Sequence, residues 1–178
     1  MYFIENIDNQ VILNLYNFME NHQFLKNLFI FITTLGNSGI IWIIFAIFLY
    51  FNKSTKKNGV IMICSLLIGF IIGNLILKNL IARDRPFIQL SLIPLISAPS
   101  GFSFPSGHSL SSFIGATSIF MFNKKYGILA YILAFLIAVS RILLAVHYPT
   151  DIIAGAILGI FISYFSYKIL NKNLKFSK

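Results

Sequence analysis

Apolar residues fill this chain in long runs, separated at fairly regular points by short polar or charged stretches. A helix needs about 20 mostly apolar residues to cross the hydrocarbon core of a bilayer. Five runs approach that length: Phe24–Phe51, Gly59–Leu77, Gly107–Phe122, Tyr126–Val146 and Thr150–Leu170. The first is too long for one straight span and contains "LGNSG" at 35–39, so the pattern predicts a short helix, a break, and a span starting near Ile40. Ahead of it, Ile4, Ile7, Val11, Leu15 and Phe18 recur at helical spacing with Asn and Gln between them, which suits an amphipathic helix lying on a membrane surface. The expected fold class is all-α integral membrane: a helical bundle of five to six transmembrane helices, the sixth being the short helix before the break, preceded by an amphipathic surface helix. Residues 1–22 form the interfacial helix and residues 23–178 the membrane-embedded domain.

Composition supports the bilayer. At 57% hydrophobic residues in 178 positions and a mean hydropathy of +0.82, the chain carries more apolar surface than one soluble core can bury. No linker, repeat or low-complexity tract divides it, and the opening "MYFIENIDNQ" lacks the features of a cleaved secretory signal, so the mature chain is expected to begin near Met1. Cys64, the single cysteine, sits in "IMICSLLIG" as a small hydrophobe.

The net charge of +9, from 14 Lys and Arg against 5 Asp and Glu, would suggest nucleic acid in a soluble protein. Topology explains it better, and no nucleic-acid partner is expected. Lys53, Lys56, Lys57, Lys124, Lys125, Lys168, Lys172, Lys175 and Lys178 all fall at one end of the predicted spans, which the positive-inside rule makes cytoplasmic. The N-terminus is then external and the C-terminus internal. The external end holds every acid in the chain (Glu5, Asp8, Glu20, Asp84, Asp151) together with Lys78, Arg83, Arg85, Arg141, His108 and His147.

Cations at that end work against the orientation bias and need another reason to be there. Taken alone, Lys78 is a snorkelling helix-end lysine, Arg83 and Arg85 are interfacial anchors, and Ser106 in "PSGH" is an ordinary helix N-cap. Arg141 is harder to set aside, because about six residues separate it from the predicted end of its span and a charge at that depth is costly. In "SRILLAVHYPTD", Pro149 ends one helix near His147 and opens the next. Asp151 falls in that new first turn, where its carboxylate can fold back and hold His147 by one ring nitrogen, leaving the other as a lone pair. In isolation the same segment reads better as an interfacial histidine beside a capping aspartate. Asp84, flanked by Arg83 and Arg85, is expected to pair with a neighbour.

Together these residues resemble the three-part signature of the type 2 phosphatidic acid phosphatase family, membrane lipid phosphatases that share their site with vanadium haloperoxidases. "KNLIARDRP" supplies Lys78, six intervening residues, then Arg85 and Pro86; "PSGH" is Pro105 to His108; "SRILLAVHYPTD" supplies Ser140 and Arg141, five intervening residues, His147, three more and Asp151. Three parts in order with fixed spacings are far more specific than any one of them. The resemblance implies that His147 attacks phosphorus to form a phosphohistidine, with Asp151 fixing its tautomer. It implies that His108 protonates the leaving oxygen and then activates water, and that Lys78, Arg85, Ser106, Gly107 and Arg141 bind phosphate. It implies no metal and no cofactor. The expected partner is a membrane lipid phosphate in the surrounding bilayer, met at the outer face of a cytoplasmic membrane; undecaprenyl diphosphate is the first expectation, with phosphatidylglycerophosphate, phosphatidic acid and lipid A phosphate as alternatives. Phosphoryl transfer to another acceptor and non-catalytic lipid transport are the competing functions.

Overall fold

The computed structural model describes residues 2–174, so Lys175 and Lys178 of the cytoplasmic set lie outside the described residues. All regular structure among those residues is helical. In chain order it comprises α1 (Tyr2–Glu20), α2 (Gln23–Leu35), a 3₁₀ turn (Asn37–Gly39), α3 (Ile40–Phe51) and α4 (Lys56–Gly69). From α4 the helix runs on through a π-helical stretch, Phe70–Leu77, into α5 (Lys78–Ile81); α6 (Pro86–Gln89), α7 (Gly107–Phe122), α8 (Lys124–Leu143) and α9 (Pro149–Asn173) follow. The break expected at 35–39 is made by Ser38 and Gly39, whose φ values of 51° and 66° leave the right-handed helical region.

Among the described residues four stretches are long and apolar enough to cross a bilayer: Gln23–Phe51, Lys56–Gln89, Lys124–Leu143 and Pro149–Asn173. The run expected as a further span, α7, has only 16 residues. It is the central element and packs most extensively on α8 and α9. Around the outside, Ile44, Phe48, Leu67, Phe135 and Phe161 are exposed, an apolar coat that water would penalise and lipid would not.

Small residues let α7 sit this close to its neighbours. A Cβ added at Gly155 or Gly159 of α9 would lie 2.7 Å from the Ser106 carbonyl oxygen or 2.6 Å from that of Leu110, so the α9 backbone rests directly on α7. Gly69 and Gly73 likewise receive the Ile114 and Leu110 side chains. On another face the Trp42 ring covers Gly115, and its Nε1–H donates to Ser112 Oγ at 3.1 Å. A Cβ at Gly115 would stand 2.2 Å from that ring. Gly115→Ala is therefore expected to cost roughly 1–3 kcal/mol through overpacking. The measurement is thermal unfolding in detergent followed by the fluorescence of Trp42, the single tryptophan; an unchanged melting curve would contradict the packing described.

Helix direction gathers the long connections at one end of the bundle. Residues 82–106, between α5 and α7, residues 144–148, between α8 and α9, and the 36–39 break lie together there. The turns at Asn52–Thr55 and Asn123 lie at the other end, where Lys57 Nζ donates to the Asn171 carbonyl. That other end also carries Lys53, Lys56, Lys124, Lys125, Lys168 and Lys172.

Two details differ from the sequence reading. Helix α8 stops at Leu143 instead of near Val146, because Ala145 turns to a φ of 54°. Arg141 thus occupies the last turn of α8. Helix α1 also has a second working face. Asp8, Ile12, Tyr16 and Met19 recur at helical spacing and are buried, whereas Ile4, Ile7 and Phe18 are exposed. Ile12 and Tyr16 pack with Ala145 and Tyr148 and with Leu90, Leu92 and Leu95 of the 82–106 connection.

Candidate active site

His147 sits in the short connection between α8 and α9, 2% exposed. Pro149 is the first residue of α9 and Tyr148 before it is extended, as the residue preceding a proline prefers. This geometry sets Asp151 in the first turn, where its Oδ2 accepts the Tyr148 N–H at 2.9 Å. The same carboxylate lies 3.5 Å from His147 Nδ1, longer than a formed hydrogen bond. Ser103 bridges the gap: its hydroxyl donates to Asp151 Oδ2 at 2.5 Å and stands 3.3 Å from His147 Nδ1. With Nδ1 protonated toward Ser103, Nε2 carries the lone pair, and Arg85 Nη1 approaches that nitrogen at 3.2 Å. Burial, with the charges of Arg85 and Arg141 adding to it and Asp151 opposing, pushes the imidazole down to about 3, so it is neutral at physiological pH.

Beside His147 opens a cavity of about 490 Å³ whose lining includes Lys78, Arg85, Gly107, His108, Arg141 and His147. Segments far apart in sequence thus meet around one space. Lys78 Nζ donates to the Phe102 carbonyl at 2.8 Å. Arg85 is held by the carbonyls of Gly101, Val146 and Ser100. Arg141, 3% exposed, donates from Nη1 to Thr33 Oγ1 at 2.7 Å, while its Nε is buried with no hydrogen-bond partner. Among the described residues none of these three cations has a carboxylate partner. Buried charge left uncompensated is strongly unfavourable, so this arrangement calls for an anion.

His108 reaches the cavity from the first turn of α7, and its Nε2 lies 3.0 Å from Asn37 Oδ1 in the 36–39 break. A Cβ at Gly36 would come within 2.7 Å of the His108 ring, so only a glycine allows that segment to approach. Gly107 lines the cavity, with Asn74 filling the space a Cβ would take. Ser106 is fully buried outside the lining; its Oγ caps α7 by accepting the Ser109 N–H at 3.4 Å, and its own N–H is given to the Asp151 carbonyl.

Asp84 does not pair with a neighbouring cation as expected: it is exposed and makes no ion pair among the described residues. The helix ends at Ala82 with a φ of 48°, which turns Arg83 inward, away from Asp84. Arg83, read from sequence as an interfacial anchor, contacts Asp151 Oδ1 at 2.8 Å and Asp8 Oδ2 at 2.7 Å. Ser103, Asn37, Thr33 and Asp8 also escaped the sequence reading. Ser103 lies three residues before Ser106 in "FSFPSGH", the one position where proximity to a motif offered a signal.

A membrane helical bundle that draws two histidines and three carboxylate-free cations around one cavity defines a helical membrane enzyme acting on phosphate esters. Residues 58–175 match the PAP2 superfamily, and the chain belongs to it, as a lipid phosphatase. It is 34% identical over 147 residues to an undecaprenyl-diphosphatase of Sulfolobus acidocaldarius, covering 82% of this chain and 70% of that protein. Its fold is similar to the crystal structure of a transmembrane PAP2 type phosphatidylglycerolphosphate phosphatase from Bacillus subtilis, with a TM-score of 0.80 and 25% identity over 99% of this chain and 90% of that one. LpxE of Aquifex aeolicus is similar with a TM-score of 0.75 and 30% identity, covering 88% and 94%.

Proposed function

We propose that the protein removes the terminal phosphate of undecaprenyl diphosphate through a phosphohistidine on His147. The observation that carries this reading is the meeting of Lys78, Arg85 and Arg141, none with a carboxylate partner among the described residues, beside a neutral, buried His147. The three cations hold the phosphoryl oxygens. His147 Nε2 attacks phosphorus as Arg85 turns from that nitrogen to the phosphate. The N–P bond forms, the P–O bond to the bridging oxygen of the diphosphate breaks, and undecaprenyl phosphate leaves as that oxygen takes a proton from His108, which enters the step as imidazolium beside the bound anion. Asp151, through Ser103, stabilises the positive charge that grows on the His147 ring. His108, oriented by Asn37, then accepts a proton from water, which attacks the phosphohistidine and releases inorganic phosphate. Gly107 and the N-terminal turn of α7 add backbone donors at the cavity wall.

Substrate class follows from the rest of the lining. Ile43, Ile63, Leu66, Leu67 and Phe70 make one side of the cavity apolar, a surface that suits a hydrocarbon chain leading away from the charged end. The lysines at the opposite end of the bundle support a site at the outer face of a cytoplasmic membrane, with the N-terminus outside and the C-terminus inside. The relative in Sulfolobus acidocaldarius favours the diphosphate of a polyprenol, and the Bacillus subtilis structure favours phosphatidylglycerophosphate as the second reading. The test is phosphate release from purified undecaprenyl diphosphate, phosphatidylglycerophosphate, phosphatidic acid and lipid A, with and without chelator and with no added acceptor. The highest kcat/KM is expected for undecaprenyl diphosphate, unchanged by chelator; release only when an acceptor alcohol is supplied would overturn hydrolysis in favour of transfer.

A further inference from the structure

We infer that Asp8 of the N-terminal helix is a positioning residue for catalysis, acting on Asp151 through Arg83. This rests on the reading of His147 as nucleophile and Asp151 as its supporting carboxylate.

Asp8 is 1% exposed although it lies among polar residues near the start of α1. Its Oδ2 accepts from Arg83 Nη2 at 2.7 Å and from the Thr150 hydroxyl, and its Oδ1 accepts the Thr150 N–H at 3.3 Å. Arg83 Nη1 donates to Asp151 Oδ1 at 2.8 Å and to Thr150 Oγ1 at 2.7 Å. The guanidinium carbon lies 3.8 Å from the centre of the Tyr148 ring, which fixes its plane. Asp151 therefore has one oxygen committed to Arg83 and the other to Ser103, Tyr148 N–H and the His147 side.

Charges alternate along this row: Asp8 negative, Arg83 positive, Asp151 negative, His147 becoming positive as it attacks. Arg83 alone would neutralise Asp151 and weaken its support for the imidazolium. A second carboxylate on the far side of Arg83 returns the unit to a net negative charge. Distance makes the coupling specific, because Asp8 lies 75 residues from Arg83 in sequence and 142 from Thr150. The helix that carries it is held by further contacts to the same end of the bundle: Gln89 Nε2 donates to Glu5, and Tyr16 donates to the Ile93 carbonyl.

The variants are Asp8→Asn, Arg83→Gln and the double substitution, assayed as full-length protein in mixed micelles, with wild type run beside them. Asn at position 8 keeps the shape and an acceptor oxygen but removes the charge. Expected are a melting temperature close to wild type, kcat lower by roughly tenfold, the scale on which partners behind a working side chain act, and KM unchanged. In the Arg83→Gln background the same substitution is expected to have no further effect on kcat. Asp8→Asn with wild-type kcat, or with a loss that adds fully to that of Arg83→Gln, would overturn the inference. A fall in kcat that tracks a fall in melting temperature would overturn it too, by making the contact structural. A wild-type protein that releases no phosphate from any lipid would instead remove the function beneath it.

Discussion

Replacing His147 with alanine is expected to lower kcat by roughly 10^4 to 10^6, the range seen when a covalent nucleophile is deleted. The fold should survive, because the neighbour most exposed to the loss keeps other partners: Arg85 still donates to the carbonyls of Gly101, Val146 and Ser100. Substrate affinity should survive as well, since Lys78, Arg85 and Arg141 remain at the cavity. The variant is thus expected to bind a lipid phosphate without turning it over; wild type quenched in alkali during turnover should yield phosphohistidine, whose P–N bond survives base and is lost in acid, and the variant should yield none. A variant that retains substantial phosphate release would remove His147 as the nucleophile.

Asp151→Asn is expected to cost about 10^2 to 10^4 in kcat, the range over which acid-base support is lost. The carboxylate is acceptor-only and receives Arg83 on one oxygen and both Ser103 and the Tyr148 N–H on the other. An amide must turn its NH2 toward one of those sets of donors. Turned toward Ser103, it reverses that hydroxyl, which then donates to Nδ1 and moves the ring proton to Nε2, where it blocks attack. Turned toward Arg83, it preserves the tautomer but abandons the charge that stabilises the imidazolium. Both outcomes reduce kcat more than KM, and the readout is the split between them; kcat within threefold of wild type would remove Asp151 from the mechanism.

The residues with fixed local spacing were the legible ones. Lys78 and Arg85 on one segment, Gly107 and His108 on another, and Arg141 and His147 on a third are set by helix pitch and by Pro149, and all six line the cavity, with Ser106 and Asp151 joined to each other outside the lining. The break at Ser38 and Gly39 was legible for the same local reason. Asp8, Thr33 and Asn37 were not, because each acquires its partner only when separate helices pack: Thr33 meets Arg141 across 108 positions and Asn37 meets His108 across 71. A buried polar residue in an apolar helix reveals that it needs a partner, never which one. Hydropathy stays high through "ILLAV" and so places the end of α8 too late, while the chain has already turned at Ala145. The inner face of α1 was missed because Asp8 interrupts it; the charge that hid the face from a hydropathy reading is the one that ties it to Arg83.

Gly155 and Gly159 bring α9 onto the carbonyls of α7 with no side chain between them. The seam between the helix that carries His108 in its first turn and the helix that follows His147 is therefore closely packed, and a substrate is not expected to pass through it. Entry is then expected where Ile43, Ile63, Leu66 and Leu67 line the cavity, a door of flexible side chains of which Ile43 and Leu67 are exposed on the outside of the bundle. A tail already dissolved in the bilayer can part such a door from the side, without ever leaving the oil.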